Sequence, residues 1–229
     1  MSVIKETIKA EKEKKKTAFK RALTPAEILA KKYETIKWSD KWKEAFSNPE
    51  STGIISICGH SGNGKSSFTM QMIKELSECL GRGHMNAYEE NAKLTMQNLL
   101  INNNMESVNG KITIIKETFD ATFQRLCASK SARFVVLDSV QAMRLTYKQY
   151  ELLKELSERK LIIFILRADG KRPKGNLALD IWYDSDLKIW VEGYLATSNG
   201  RHNPGGQFVI WREKAIEYHG LKTIEKYEI

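Results

Sequence analysis

The residues best equipped for chemistry are Gly59-His60-Ser61-Gly62-Asn63-Gly64-Lys65-Ser66, which match the spacing G-x-x-x-x-G-K-[ST]. An apolar run, Ile54 to Cys58, precedes them, and a helix-compatible run beginning at Ser66 follows. Glycines at these positions let successive backbone N–H groups converge on an anion, and a helix start adds its partial positive charge. Lys65 is placed to reach the β- and γ-phosphates of a nucleotide. Ser66 is placed to put its hydroxyl on Mg2+, a hard cation that takes small oxygen ligands. Ser67, in the first helical turn, completes a binding set running from Gly59 to Ser67.

Acidic partners for such a loop stand at two apolar strand ends. Phe134-Val135-Val136-Leu137-Asp138-Ser139 closes on Asp138, which a parallel sheet presents at its carboxyl edge, where a carboxylate can hold the water shell of Mg2+. Helix capping by Asp138 or Ser139 is the alternative and does not exclude that role. The run ending in Tyr88 is followed by Glu89-Glu90. A carboxylate there could orient or deprotonate an attacking water, which separates hydrolysis from binding. Neighbouring residues on an extended chain point oppositely, so one of the two faces the site; Glu89 is favoured over Glu90.

Stepping outward to the elements that must position these groups, short apolar strands are expected at Ile54 to Cys58, Met85 to Tyr88, Ile112 to Ile115, Phe134 to Leu137 and Leu161 to Leu166. Helix-compatible stretches separate them, the pattern of βαβ units around a parallel sheet. Leu187 to Val191, Leu195 to Thr197 and Gln207 to Trp211 are joined by short Gly/Asn/Pro connections and imply an antiparallel C-terminal edge. The fold class is α/β, a mostly parallel central sheet flanked by helices. The organisation expected is a basic arm over 1–22, a helical linker over 23–49 and the core over 50–229. Thr24-Pro25-Ala26-Glu27 is a capping box that starts the linker helix, and Ile28, Tyr33, Ile36, Trp38, Trp42 and Phe46 form an apolar stripe along it.

The chain has 229 residues, 41% of them hydrophobic and 28% charged, which fits one globular domain with an extension. The longest apolar run, Leu161 to Leu166, is far short of the ~20 residues that span a bilayer. The N-terminus lacks the apolar segment of a secretory signal, so a cytoplasmic location is expected. Cys58, Cys79 and Cys127 form no CxxC pair and the histidines at 60, 84, 202 and 219 are scattered, which excludes the common zinc arrangements; the thiols are expected to be buried. The net charge is +9, and residues 1–45 carry most of it, with thirteen Lys/Arg against seven Asp/Glu. Such an arm suits nucleic acid, acidic lipid or an acidic protein partner, or serves as a solubilising tail.

In order, GHSGNGKSSFTMQM, AYEEN, FVVLDS, an apolar strand and a basic glycine loop resemble the RecA-like ATPases, particularly the RadA, KaiC and DnaB-type branch. The resemblance covers residues 50–212. It implies ATP and Mg2+ as ligands, Lys65 and Ser66 on phosphate and Mg2+, Asp138 as the Walker B aspartate and Glu89 as the catalytic glutamate. It also implies a homo-oligomer. Arg167 stands near the position where the family usually carries a Gln or His that senses the γ-phosphate. The loop Asp169 to Asn176, with Lys171, Arg172 and Lys174, occupies the place of a DNA-contacting loop; such contacts would be sequence-independent, single-stranded DNA is the favoured partner, and an ordinary solvated loop is the alternative. Arg201, ahead of His202, corresponds to basic residues that reach a neighbouring subunit's nucleotide. Phe19-Lys20-Arg21-Ala22 matches F-x-x-A, by which some recombinases dock on the next protomer. The function expected is an Mg2+-dependent ATPase coupled to DNA binding or remodelling. An ATP-dependent switch that recruits a protein partner is the alternative, and a small-molecule kinase finds no lid or acceptor pocket in the sequence.

Overall fold

Nine strands form one connected sheet in the computed structural model, which describes residues 21–89 and 93–227. Most of the basic arm, Phe19 and Lys20 of the F-x-x-A match, and Glu90 lie outside the described residues. The chain divides into two compact units, Met1–Glu34 and Thr35–Ile229. In the first, α1 (Pro25–Leu29) starts at the capping box, with Thr24 Oγ1 accepting from the Glu27 N–H and the Glu27 carboxylate accepting from the Thr24 N–H. It buries none of its residues, so nothing propagates the helix, and the expected linker helix stops at Leu29 with Ile28 and Tyr33 exposed.

The second unit begins at Thr35 rather than near residue 50. Ile36 and Trp38 are buried, and α2 (Asp40–Phe46) buries Trp42 and Phe46. Trp42 lies 4.3 Å from Phe208 and 5.4 Å from Phe68, ring centre to ring centre, so a segment expected to be linker is welded into the core by aromatic packing.

The rest of the body follows the alternation of strands and helices: β1 (Gly53–Gly59), α3 (Lys65–Cys79), β2 (Gly83–Ala87), α4 (Leu94–Asn102), β3 (Ile112–Ile115), α5 (Phe119–Cys127) and β4 (Phe134–Asp138). Then come α6 (Val140–Met143), α7 (Tyr147–Ser157), β5 (Leu161–Asp169), β6 (Arg172–Pro173), α8 (Asn176–Asp184), β7 (Leu187–Glu192), β8 (Leu195–Ser198), β9 (Gln207–Val209), α9 (Arg212–His219) and α10 (Leu221–Ile224). The sheet order is β3-β2-β4-β5-β1-β7-β8-β9, with β6 paired to β5. Strands from β3 through β7 are parallel, and β8 and β9 add the antiparallel edge.

Because side chains alternate across a strand, Ile55, Ile57, Val136, Ile163 and Ile165 face α2, α3 and α4, while Ile54, Val135, Leu137, Ile162 and Phe164 face α5, α7 and α8. Burial on both faces explains why these strands read as continuous apolar runs. The expected strand to Trp211 ends at Val209, because Ile210 donates its N–H to the Tyr194 carbonyl and Trp211 caps α9. The loop expected over 169–176 is instead a tight hairpin, with Ala168 paired to Pro173 and Asp169 to Arg172. Cys58 is buried, but Cys79 is half-buried and Cys127 is exposed on α5. No described helix is long and apolar enough to cross a membrane.

Buried polar groups at the β2–β3 edge are matched to one another. His84 Nδ1 contacts Thr113 Oγ1 at 2.8 Å and its Nε2 lies 3.2 Å from Glu117, whose carboxylate also takes two hydrogen bonds from Arg125. Burial holds His84 below its ordinary value of 6.5, although Glu117 opposes this. An imidazole with a lowered folded pKa contributes stability that is complete above about 6.5 and is lost as pH falls below it, since the unfolded chain then binds more protons. Glu117, lowered chiefly by its hydrogen bonds from Arg125, adds a loss in the same direction at lower pH. The urea midpoint should therefore fall between pH 7.5 and 5.5, and His84→Gln should flatten that slope; a parallel slope in the variant would contradict the assignment.

Candidate functional site

The phosphate loop is the connection from β1 to α3, and its shape is held from outside. Asn63 accepts the Gly193 N–H on its side-chain oxygen at 2.8 Å and the Tyr194 N–H on its main-chain oxygen at 3.0 Å. The turn between β7 and β8 thus backs the loop with two hydrogen bonds. Gly64 caps α3 with φ of +95°, in the left-handed region, and a Cβ there would lie 2.8 Å from the Tyr194 ring. Only glycine meets both conditions. The turn is held in its own right: Tyr218 Oη donates to the Glu192 carboxylate, and His219 Nε2 lies 3.1 Å from the Glu192 carbonyl oxygen.

The carboxyl ends of the parallel strands bring the other groups alongside. Gly59 is in register with Arg167 at the end of β5, and β4 and β2 follow with Asp138 and Glu89. Glu89 is held at three points: Oε1 lies 2.8 Å from Arg167, Oε2 accepts from Ser139 Oγ at 3.1 Å, and its N–H donates to the Asp138 carbonyl at 3.2 Å. Ser139 also caps α6 through the Ala142 N–H, so capping falls to Ser139, while Asp138 before it lines the cleft. Lys65 Nζ donates to the His60 carbonyl at 2.6 Å, folded back on the loop. Burial lowers its pKa, and the carboxylates of Asp138 and Glu89 pull it back up. Burial pushes the neighbouring Cys58 thiol up to about 12, so it carries no charge at neutral pH.

These groups line one cleft of about 690 Å³, which also reaches Ser66, Ser67, Lys174, Tyr194 and Trp211. It offers the backbone of a glycine-rich loop, an ammonium, hydroxyls and carboxylates, a set suited to a polyphosphate. Ser66 and Asp138 both face it, and as hard oxygen donors they suit Mg2+. Among the described residues no cluster of three or more His, Cys, Asp and Glu could hold a metal ion.

The other expected residues are distributed differently. Lys171 and Arg172 are exposed at the hairpin tip, and His60 Nε2 contacts the Gly170 carbonyl at 2.8 Å, tying that hairpin to the phosphate loop. Arg201 lies in the β8–β9 connection; Asn199 and Gly200 pack on the start of β7, so Arg201 is at the amino edge of the parallel strands, about 20 Å along the sheet from the phosphate loop. It does not join its own chain's site. Sequence reasoning missed Gln141, which accepts the Arg167 N–H at 3.2 Å and donates to the Lys174 carbonyl at 3.0 Å. It also missed the Gly193–Tyr194 brace and Trp211, whose ring stands edge-on to Tyr194 at 5.9 Å. No spacing rule links such residues to a loop far away in sequence.

No protein-family model matches the chain, and no curated protein matches its sequence. Among solved structures, the chain is similar to the crystal structure of a KaiC-like protein from the hyperthermophilic archaeon Pyrococcus horikoshii OT3. The TM-score is 0.54 at 19% identity, covering 75% of this chain and 93% of that one. With the strand order, this shows a RecA-like fold.

Removing the loop's brace should weaken anion binding without unfolding the protein. Asn63→Ala removes two side-chain hydrogen bonds, from the Gly193 N–H and to the Ser61 carbonyl, and is expected to lower affinity for a nucleoside triphosphate by about tenfold while losing about 1–2 kcal/mol of stability. Titration and thermal unfolding check this, and an unchanged affinity would show that the side-chain half of the brace is dispensable, the main-chain bond to Tyr194 remaining in the variant.

Proposed function

We propose that the chain binds ATP with Mg2+ in this cleft, hydrolyses it, and couples turnover to binding of single-stranded DNA. The observation that carries the reading is the convergence of Lys65, Asp138, Glu89 and Arg167 on one cleft at the carboxyl edge of a RecA-like sheet. Lys65 exchanges the His60 carbonyl for phosphate oxygens, which restores the counter-charge that burial demands. Ser66 and Asp138 would hold Mg2+, which would supply charge neutralisation to the phosphates. Glu89 orients or deprotonates the water, and Arg167, beside it, senses the γ-phosphate by charge.

The DNA half of the reading is supported by the hairpin that carries Lys171 and Arg172. It extends β5 directly beyond Arg167 and touches the phosphate loop through His60, so a change at the γ-phosphate has a short covalent and hydrogen-bonded route to those cations. A homo-oligomer, with Arg201 reaching the nucleotide of a neighbour, belongs to the same proposal.

Glu89→Gln should bind ATP normally and lose about a hundredfold or more in turnover; equal turnover would remove Glu89 from catalysis. Single-stranded DNA should raise turnover in the unaltered protein, and turnover indifferent to DNA would favour recruitment of a protein partner. For DNA binding, Lys171→Ala with Arg172→Ala should reduce the slope of log affinity against log salt by about 0.7 per lost phosphate contact. An unchanged slope would place the DNA contacts elsewhere.

A further inference from the structure

Lys174 was grouped with Lys171 and Arg172 as one basic loop, and the structure separates it from them. The tip residues Lys171 and Arg172 do not line the cleft, whereas Lys174 does, together with Lys65 and Arg167. Its main chain is fixed from two sides: its N–H donates to the Arg167 carbonyl at 2.7 Å, and its carbonyl accepts from Gln141 Nε2 at 3.0 Å. Pro173 before it is buried and paired to Ala168. A long cationic side chain therefore starts from a rigid point next to Arg167, and among the described residues its ammonium has no carboxylate partner.

The charge balance of the cleft gives that ammonium a purpose. Among the described residues that line it, the Lys/Arg cations are Lys65, Arg167 and Lys174, and the carboxylates are Glu89 and Asp138. Among the described residues Arg167 pairs with Glu89 and Lys65 donates to the His60 carbonyl, whereas Lys174 has no carboxylate to exchange for an incoming anion at the β5 end. Arg201 of the same chain lies at the opposite edge of the sheet, beyond the reach of any side chain.

We propose that Lys174 binds the γ-phosphate of the nucleotide held by its own chain, so that Arg167 and Lys174 form a cation pair supplied in cis. The inference rests on the reading of the cleft as an ATP site. Terminal phosphoryl groups carry the charge that develops during transfer, and cations from the same chain or from a neighbour can stabilise it. Lys174 then distinguishes triphosphate from diphosphate, and its side chain is not part of the nucleic-acid surface formed by Lys171 and Arg172.

The test is equilibrium binding of ATPγS and of ADP, each with Mg2+, to the full chain and to Lys174→Met, Lys174→Arg and Lys148→Met. The last removes one positive charge from the exposed face of α7, outside the cleft. Lys174→Met should bind ATPγS about tenfold more weakly, about 1.4 kcal/mol, with ADP affinity unchanged. Lys174→Arg should restore most of the preference, and Lys148→Met should match the unaltered protein. Equal effects on both nucleotides, or no effect on either, would overturn the assignment. A loss of single-stranded DNA affinity with the ATPγS preference intact would return Lys174 to the nucleic-acid surface. If the unaltered protein binds neither nucleotide, the reading of the cleft fails and Lys174 with it. Binding without turnover refutes hydrolysis alone, and Lys174 is still judged on its preference for ATPγS.

Discussion

The two hydrogen bonds between Asn63 and the Gly193–Tyr194 turn are the constraint on which the rest of the site depends. A loop that points its N–H groups at an anion exposes like partial charges to one another, and its glycines leave it free to collapse. Backing from a neighbouring strand connection removes that freedom before any ligand arrives. The backing itself requires β7 to lie parallel beside β1, with Cys58 in register with Trp190. It also requires α9 to hold the turn through Tyr218 and His219. Gly193 sits so close to Tyr218 that a Cβ would meet its ring at 2.3 Å, so α9 and the phosphate loop both contact the same turn.

Electrostatics completes what packing begins. The cleft gathers cations and carboxylates that satisfy one another in provisional pairs: Arg167 with Glu89, Lys65 with the His60 carbonyl. The Arg167–Glu89 pair is not buried deeply enough to be permanent, its side chains remaining 48% and 42% exposed. A polyphosphate offers stronger, charge-assisted partners to the cations and frees the carboxylate beside them. The same residues can thus hold an empty site together and perform chemistry in a filled one.

Much of this was legible in the sequence because it is encoded locally. The phosphate loop, the strand that ends in Asp138 and the alternation of apolar runs each fit within a short window, and the parallel strands appear close to the expected positions, while β6 was not expected and β9 ends early. The first compact boundary was not legible, because Trp42 and Phe46 are secured by Phe68 and Phe208, residues distant in the chain. Gln141 and Tyr194 were invisible for the same reason. Their roles come from strand register, which places the ends of β5 and β7 beside β1. The basic loop was read as a single patch because adjacent lysines look alike on paper. In the folded chain a two-residue strand, Arg172–Pro173, turns Lys174 into the cleft and leaves its neighbours outside.

The central claim is that this cleft hydrolyses a nucleoside triphosphate through its phosphate loop. The most direct measurement is steady-state release of inorganic phosphate from ATP by the full chain, with Mg2+ present and then chelated, and with Lys65→Ala as the blank. The account predicts turnover that disappears both with the lysine and with the cation. Turnover that survives in Lys65→Ala, or no turnover at all from the unaltered protein with Mg2+ and saturating ATP, would contradict it.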